Sequence, residues 1–158
     1  MGWGPPKVVL VDAAGLTTSA TAYSSGDQLG TEITLPDVAG ATAGFGIITG
    51  ISLIDDGDIL LSTEIYVFSD TTTEAADNAA AAWSDADAVK IVPGFPLVMP
   101  APIDVGGVRV AGLGNLWIPF QSGSGHDDLF VDVVTRSAHT FFTAADDVHL
   151  RFSIIQYS

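Results

Sequence analysis

Apolar residues recur at every second position through most of the chain. Phe45, Ile47, Thr49, Ile51 and Leu53 form one such set, and beyond Asp55-Asp56-Gly57-Asp58 the set Ile59, Leu61, Thr63, Ile65 and Val67 forms another. A period of two puts alternate side chains on one face of an extended strand, so each run predicts a strand with one face in a core. Asp56-Gly57 tolerates the positive φ of a tight reversal, and the two runs are expected to form an antiparallel hairpin. The pattern returns in Val108 and Val110, in Leu116, Ile118 and Phe120, in Leu129, Val131 and Val133, and in Val148, Leu150, Phe152 and Ile154. Between the last four, His149, Arg151 and Ser153 mark a face turned to water.

The alanine-rich stretch from Thr73 to Ile91 is the exception. Asp77 and Asn78 are weak helix formers and break it up. What remains is Ser84 with Asp87 three residues on, a capping-box signal for a short helix from Asp85 to about Ile91, stopped by Pro93-Gly94. Pro93, Pro96, Pro100 and Pro102 then predict an extended connector or an edge strand, because proline donates nothing to a ladder. Trp3 between glycines, followed by Pro5-Pro6, reads as a stiff arm that either waves free or docks on a neighbour. The expected architecture is all-β, an antiparallel β-sandwich with one short helix near 85–91, an arm at 1–6 and a single domain over 7–158.

Composition adds a constraint on partners. The chain is 47% hydrophobic but only 15% charged, against roughly 25% charged in an average soluble domain. No apolar run approaches the 18 to 20 residues, roughly, that span a bilayer, and Met1-Gly2-Trp3-Gly4-Pro5-Pro6 has none of the basic and apolar character of a secretion signal. Contacts between subunits are the expected sink for the apolar excess. The charges are lopsided: 19 acidic residues against Lys7, Lys90, Arg109, Arg136 and Arg151 give a formal net charge of −14. Nucleic acid is an unsuitable partner, because phosphate binding needs clustered cations and these are scattered. With no cysteine, disulfides, thiolate metal sites and thiol nucleophiles are all excluded.

Candidate chemistry is sparse. Gly123-Ser124-Gly125-His126 is the nearest approach to a nucleophile motif, but it lacks the strand-turn-helix setting and reads as a loop tip. Asp55, Asp56 and Asp58, Asp85 with Asp87, and Asp146 with Asp147 are carboxylate groups of the kind calcium takes. None follows a calcium loop, and aspartate in turns commonly caps its own backbone, so no metal or cofactor is expected. His126, His139 and His149 have no metal-ligand spacing, and Gly44-Phe45-Gly46 and Gly112-Leu113-Gly114 precede strands or turns rather than phosphate-cradling helices. Catalysis needs convergent groups that nothing here assembles, so a non-enzyme is expected. Trp3, Trp83 and Trp117 could instead stack on sugars, which makes a carbohydrate-binding module the alternative function. Core or interface packing of the same residues is the simpler expectation.

Several runs resemble a known family. Ile65-Tyr66-Val67-Phe68-Ser69-Asp70, Ala76-Asp77-Asn78-Ala79-Ala80, Ser84-Asp85-Ala86-Asp87-Ala88-Val89-Lys90-Ile91, Asn115-Leu116-Trp117-Ile118-Pro119-Phe120 and Asp128-Leu129-Phe130-Val131-Asp132-Val133-Val134-Thr135-Arg136 are similar to the capsid decoration, or cement, proteins of tailed phages, over roughly residues 51–154. Pro93 and the N-terminal third depart from that pattern. The resemblance implies a jelly-roll sandwich, often trimeric, on the virion exterior, with the major capsid protein as partner and no catalytic residues. Trp3, Pro5, Pro6 and Trp117 are the residues expected at a capsid or subunit interface.

Overall fold

The computed structural model describes residues 5–13, 16–139 and 148–157. Its strands build two antiparallel sheets. In the first, β1 (Lys7–Asp12) pairs with β10 (Val148–Tyr157), and β10 pairs with β3 (Phe45–Asp55). The other side of β3 takes β8 (Ile118–Gln121) and then β7 (Arg109–Leu113), with the two-residue β6 (Ile103–Asp104) outermost. The second sheet runs β2 (Ile33–Leu35), β9 (Leu129–Thr135), β4 (Thr63–Phe68), β5 (Leu97–Val98). The first strand pairs with the last and the second with the last but one, so the chain winds as a folded ribbon across both sheets. That is the order of a jelly roll, and the antiparallel sandwich expected from the alternation is the architecture observed.

The two inner faces make one core. Ile48, Ile51, Leu53, Phe152 and Ile154 meet Leu35, Ile65, Val67, Leu129, Val131 and Val133 from the opposite sheet, all buried. β9 is buried on both faces, because residues 69–92 fold across the outer side of the second sheet as a strap. Trp83 packs there on Tyr66 and Phe68, with ring centroids 4.3 and 5.8 Å apart, and Phe130, Val134 and Ile91 complete this smaller cluster. The strap carries α1 (Asp85–Ala88), whose capping box is complete: Asp87 N–H donates to Ser84 Oγ at 3.2 Å and Ser84 N–H donates to an Asp87 carboxylate oxygen at 3.3 Å. The helix stops at one turn, short of Ile91. Ile91 bridges to Phe68 and Val92 N–H donates to Val67 O, so the sheet takes the backbone that a longer helix would need.

Three expectations from the periodicity are corrected. β3 and β4 form no hairpin: the reversal at Asp55–Asp58 exists, with the positive φ on Asp58 (54°), but residues 56–62 carry the chain from one sheet to the other. A wound ribbon takes each strand's partner from the far end of the chain, and sequence adjacency is not pairing. Second, Phe45, Ile47 and Thr49 do not share a face with Ile51 and Leu53. Ile154 pairs with Ile48 and Ser153 with Gly50, which leaves Thr49 as an extra residue in β3. This β-bulge reverses the phase, so the inward set is Gly46, Ile48, Ile51, Leu53 and Asp55. Third, β7 presents Ala111 inward, paired with Leu53, while Val110 pairs with Ile54 on the outer side.

Gly46 shows how tightly this inner face is fitted. A Cβ there would lie 2.3 Å from Phe120 Cζ and 3.0 Å from Ile155 O, and Phe120 is buried. Gly46→Ala is expected to lower the unfolding free energy in urea by about 1–3 kcal/mol. Gly125→Ala, where a Cβ meets nothing within 4 Å, should change it by less than about 0.5 kcal/mol.

Candidate docking face

The bulge places large apolar side chains on the outside of the first sheet. Val8 pairs with Ile155, Ile155 with Ile47, and Ile47 with Pro119, so one apolar row crosses β1, β10, β3 and β8. Phe45 and Tyr157 pair beside it, and Leu10 extends it along β1. Val8, Leu10 and Phe45 are 69%, 63% and 46% exposed. Beyond the edge of β8 the face runs into a groove of about 500 Å³ whose lining includes Phe45, Val89, Pro93 and Pro119. Isolated exposed apolar residues are ordinary, but a contiguous row of them is the usual mark of an interaction surface.

Three of the four interface residues expected from sequence fall at opposite margins of this face. Pro5 and Pro6 are exposed and lead directly into β1. Trp117 immediately precedes β8, alternates onto the side of Pro119, and is 70% exposed. Packing of Trp117 in the core is therefore corrected, and its indole faces outward. Trp3 lies outside the described residues. The outward positions of Phe45 and Ile47 were hidden in the sequence, where the unbroken alternation through Thr49 pointed them inward.

Most of the basic side chains are paired with acids of the same chain. Arg151 pairs with Asp12, and His149 Nε2 lies 3.4 Å from Asp56. Lys90 is 3.0 Å from Asp87, Arg109 is 2.9 Å from Asp58, and Arg136 pairs with Glu64. Lys7 is the cation without an ion pair among the described residues. The row itself, Val8, Ile155, Ile47 and Pro119 with Phe45, Tyr157 and Trp117, contains no carboxylate in a chain of net charge −14.

The other candidates separate in space. Trp83 is held by Tyr66, Phe68 and a 2.7 Å hydrogen bond from Nε1 to Asp132. It lies on the second sheet and shares no platform with Trp117 on the first. His126 accepts from Asp128 N–H, His139 stacks on Tyr23 at 5.2 Å, and His149 faces Asp56. No hydrogen bond joins Ser124 to His126 among the described residues. The Asp55–Asp58 group disperses, with Asp55 inward, Asp56 toward His149 and Asp58 toward Arg109. Asp87 caps α1, and Asp146 and Asp147 lie outside the described residues. Asp37, Asp127 and Asp128 do converge, with oxygens within 4.8 Å of one another. Sequence reading missed this trio because its members come from two loops far apart in the chain. The Asp37 amide donates to Asp128 Oδ1 at 2.9 Å, so backbone capping accounts for part of that convergence.

Two buried carboxylates set the electrostatics of the interior. Asp132 accepts from Trp83 Nε1, Gln28 Nε2 at 2.9 Å and Thr72 Oγ1 at 3.4 Å. Burial still raises its pKa, and burial likewise raises Glu32 and Glu74, with the charge of Asp132 adding to both. Asp55 is fully buried on the core side of β3 and neither of its oxygens completes a hydrogen bond. Burial pushes its pKa up to about 6, only partly offset by the Ile59 and Gly57 amides. Comparison of the chain with models of protein families, with curated proteins and with solved structures gave no match.

Asp55 makes stability depend on pH. A pKa raised on folding means that the native state holds the proton more tightly, so this group's contribution to stability is fully present below about pH 4 and is lost as pH rises through about 6. The loss from this group amounts to roughly 3 kcal/mol at neutral pH. Asp55→Asn should therefore raise the thermal midpoint at pH 7.5, and its advantage over the parent should shrink as the pH is lowered toward 4. Asp132→Ala should destabilise by about 2–3 kcal/mol, because the buried Gln28 and Trp83 donors lose their acceptor. Trp83 fluorescence would report its unfolding.

Proposed function

We propose that this chain is a structural virion protein, a capsid decoration protein that docks on the outer surface of a major capsid protein lattice and stabilises it. The observation that carries this reading is the carboxylate-free apolar row across β1, β10, β3 and β8. In a chain of net charge −14, that is where another protein surface can approach with least repulsion and most apolar burial. The resemblance of residues 51–154 to cement proteins supplies the kind of partner.

Such docking is mechanical. Burial of Phe45, Ile47, Pro119 and Trp117 against capsomers would cross-link them, and the acidic remainder of the surface would face solvent. Aromatic side chains near the centre of an interface usually carry a large share of its energy. The resemblance also implies a homotrimer, which would place three such faces around a local symmetry axis.

The reading predicts that the protein is a stoichiometric component of purified phage particles. Changing Phe45 and Trp117 together to Ser should weaken co-sedimentation with capsids by at least about tenfold, while the thermal midpoint stays close to that of the parent. Its absence from particles, or capsid binding indifferent to both changes, would overturn the proposal.

A further inference from the structure

Five strands are paired on one side alone among the described residues, and four of them are short: β6 and β5 have two residues each, β2 has three, and β8 has four with Pro119 among them. Short edges are one way a sheet avoids pairing with other chains. β1 is built differently, with six residues, exposed Val8 and Leu10, and a strand on one side alone among the described residues. Ala13 N–H donates to Leu150 O at 2.9 Å in continuation of the β1–β10 register. Hydrogen-bonded pairs alternate in an antiparallel ladder, so Lys7, Val9 and Val11 bond toward β10. The N–H and C=O groups of Val8, Leu10 and Asp12 therefore point out of the sheet edge.

We propose that this edge pairs antiparallel with the same edge of a second copy, about a two-fold axis at Leu10, making one sheet continuous across a dimer. A two-fold axis normal to the sheet keeps the apolar face of both copies on one side. Leu10 then meets Leu10, and Val8 meets the other copy's Asp12, which satisfies every outward backbone group of Val8, Leu10 and Asp12. Sliding the register so that Val8 meets Leu10 would set Asp12 opposite Pro6, which has no N–H to give.

Charge favours the same arrangement. Antiparallel pairing sets Lys7 opposite Ala13 and Asp12 opposite Val8, whereas parallel pairing would align Lys7 with Lys7 and Asp12 with Asp12. Lys7 is the cation left without an ion pair among the described residues, and it offsets Asp12 within the strand, while Asp37 and Asp127 line the groove alongside. Two-fold pairing differs from the trimer implied by the resemblance. It is compatible with the docking face, since it doubles the apolar row instead of covering it.

Analytical ultracentrifugation of the full chain over a concentration series should show a monomer–dimer equilibrium. Leu10→Lys sets two like charges on the axis and should raise the dimer dissociation constant at least tenfold, roughly, with an unchanged thermal midpoint. The chain has no cysteine, so single replacements report the register cleanly. On oxidation Leu10→Cys should form a disulfide dimer, because directly opposite Cα atoms in such a pair are about 5.5 Å apart, whereas Val8→Cys should not. A parent that is monomeric at all concentrations, a dimer indifferent to Leu10→Lys, or cross-linking at position 8 rather than 10 would each overturn the proposal. Capsid binding by a strict monomer would sink it and leave the docking face standing, and a dimer that ignores capsids would do the reverse.

Discussion

The pairing of β3 with β10 at the middle of the first sheet governs the rest of the structure, and one unpaired residue governs that pairing. With Thr49 set aside, Ile48 stays opposite Ile154 and Ile51 opposite Phe152, so both halves of β3 keep their largest aliphatic side chains in the core. Without the bulge, either Phe45, Ile47 and Thr49 would replace Gly46 and Ile48 on the inner face or Gly50, Ser52 and Ile54 would replace Ile51 and Leu53. The same residue marks the point where the neighbour of β3 changes from β8 to β7. Leu116 N–H donates to Thr49 O at 3.0 Å, and Thr49 Oγ1 donates to Ser153 O at 3.0 Å. The bulge is thus tied by hydrogen bonds on both sides, which makes it a fixed part of the fold.

Much of the inner architecture was legible in the periodicity. Leu129, Val131 and Val133, the β10 set from Val148 to Ile154, and Leu61 to Val67 all lie where alternation puts them, because a strand packed on one side must bury every second residue. The capping box at Ser84 was legible for a similar reason, since its chemistry lies within four residues. The bulge could not be read, because an alternation of apolar residues looks the same on both sides of an inserted position. Nor could strand pairing, which depends on which distant segment supplies the other ladder. The docking face fell in that blind spot: Ile47 and Phe45 read as core, and Trp117 read as core or interface. Geometry also dissolved the clusters read along the chain, sending Asp55, Asp56 and Asp58 in different directions while drawing Asp37 toward Asp127 and Asp128.

The strap across the second sheet explains why only one of the two outer faces is open. Tyr66, Phe68, Phe130 and Val134 would expose a comparable apolar surface, but Trp83 and Ile91 cover them. The strap is anchored by polar contacts that need no cation: Trp83 and Gln28 donate to Asp132, and Tyr23 Oη and Gly30 N–H both donate to Asp77 at 2.7 Å. Carboxylates accepting from neutral donors hold the cover in place, and burial raises the pKa of Asp132 despite those hydrogen bonds. The first sheet has no such segment laid over its row from Val8 to Pro119 among the described residues.

Acidity and apolarity are therefore distributed by the same winding. The turns and loops at the ends of the sandwich collect most of the aspartates, which satisfy their own backbone there, while the strands hold few: Asp12 and Asp104 exposed at strand ends, and Asp55 and Asp132 buried. A chain built this way cannot associate through its loops without bringing carboxylates together in a medium that screens them only beyond about 8–10 Å. It can associate through strand surfaces, where the free backbone of β1 and the apolar row offer attraction with fewer carboxylates nearby than the loops hold. The two differ in kind, since the edge recognises another strand by directional hydrogen bonds and the row accepts any complementary apolar surface. Register can discriminate at the edge because Pro6 and Asp12 penalise a slip; specificity on the row has to come from shape, with Trp117 and Phe45 as its most prominent features.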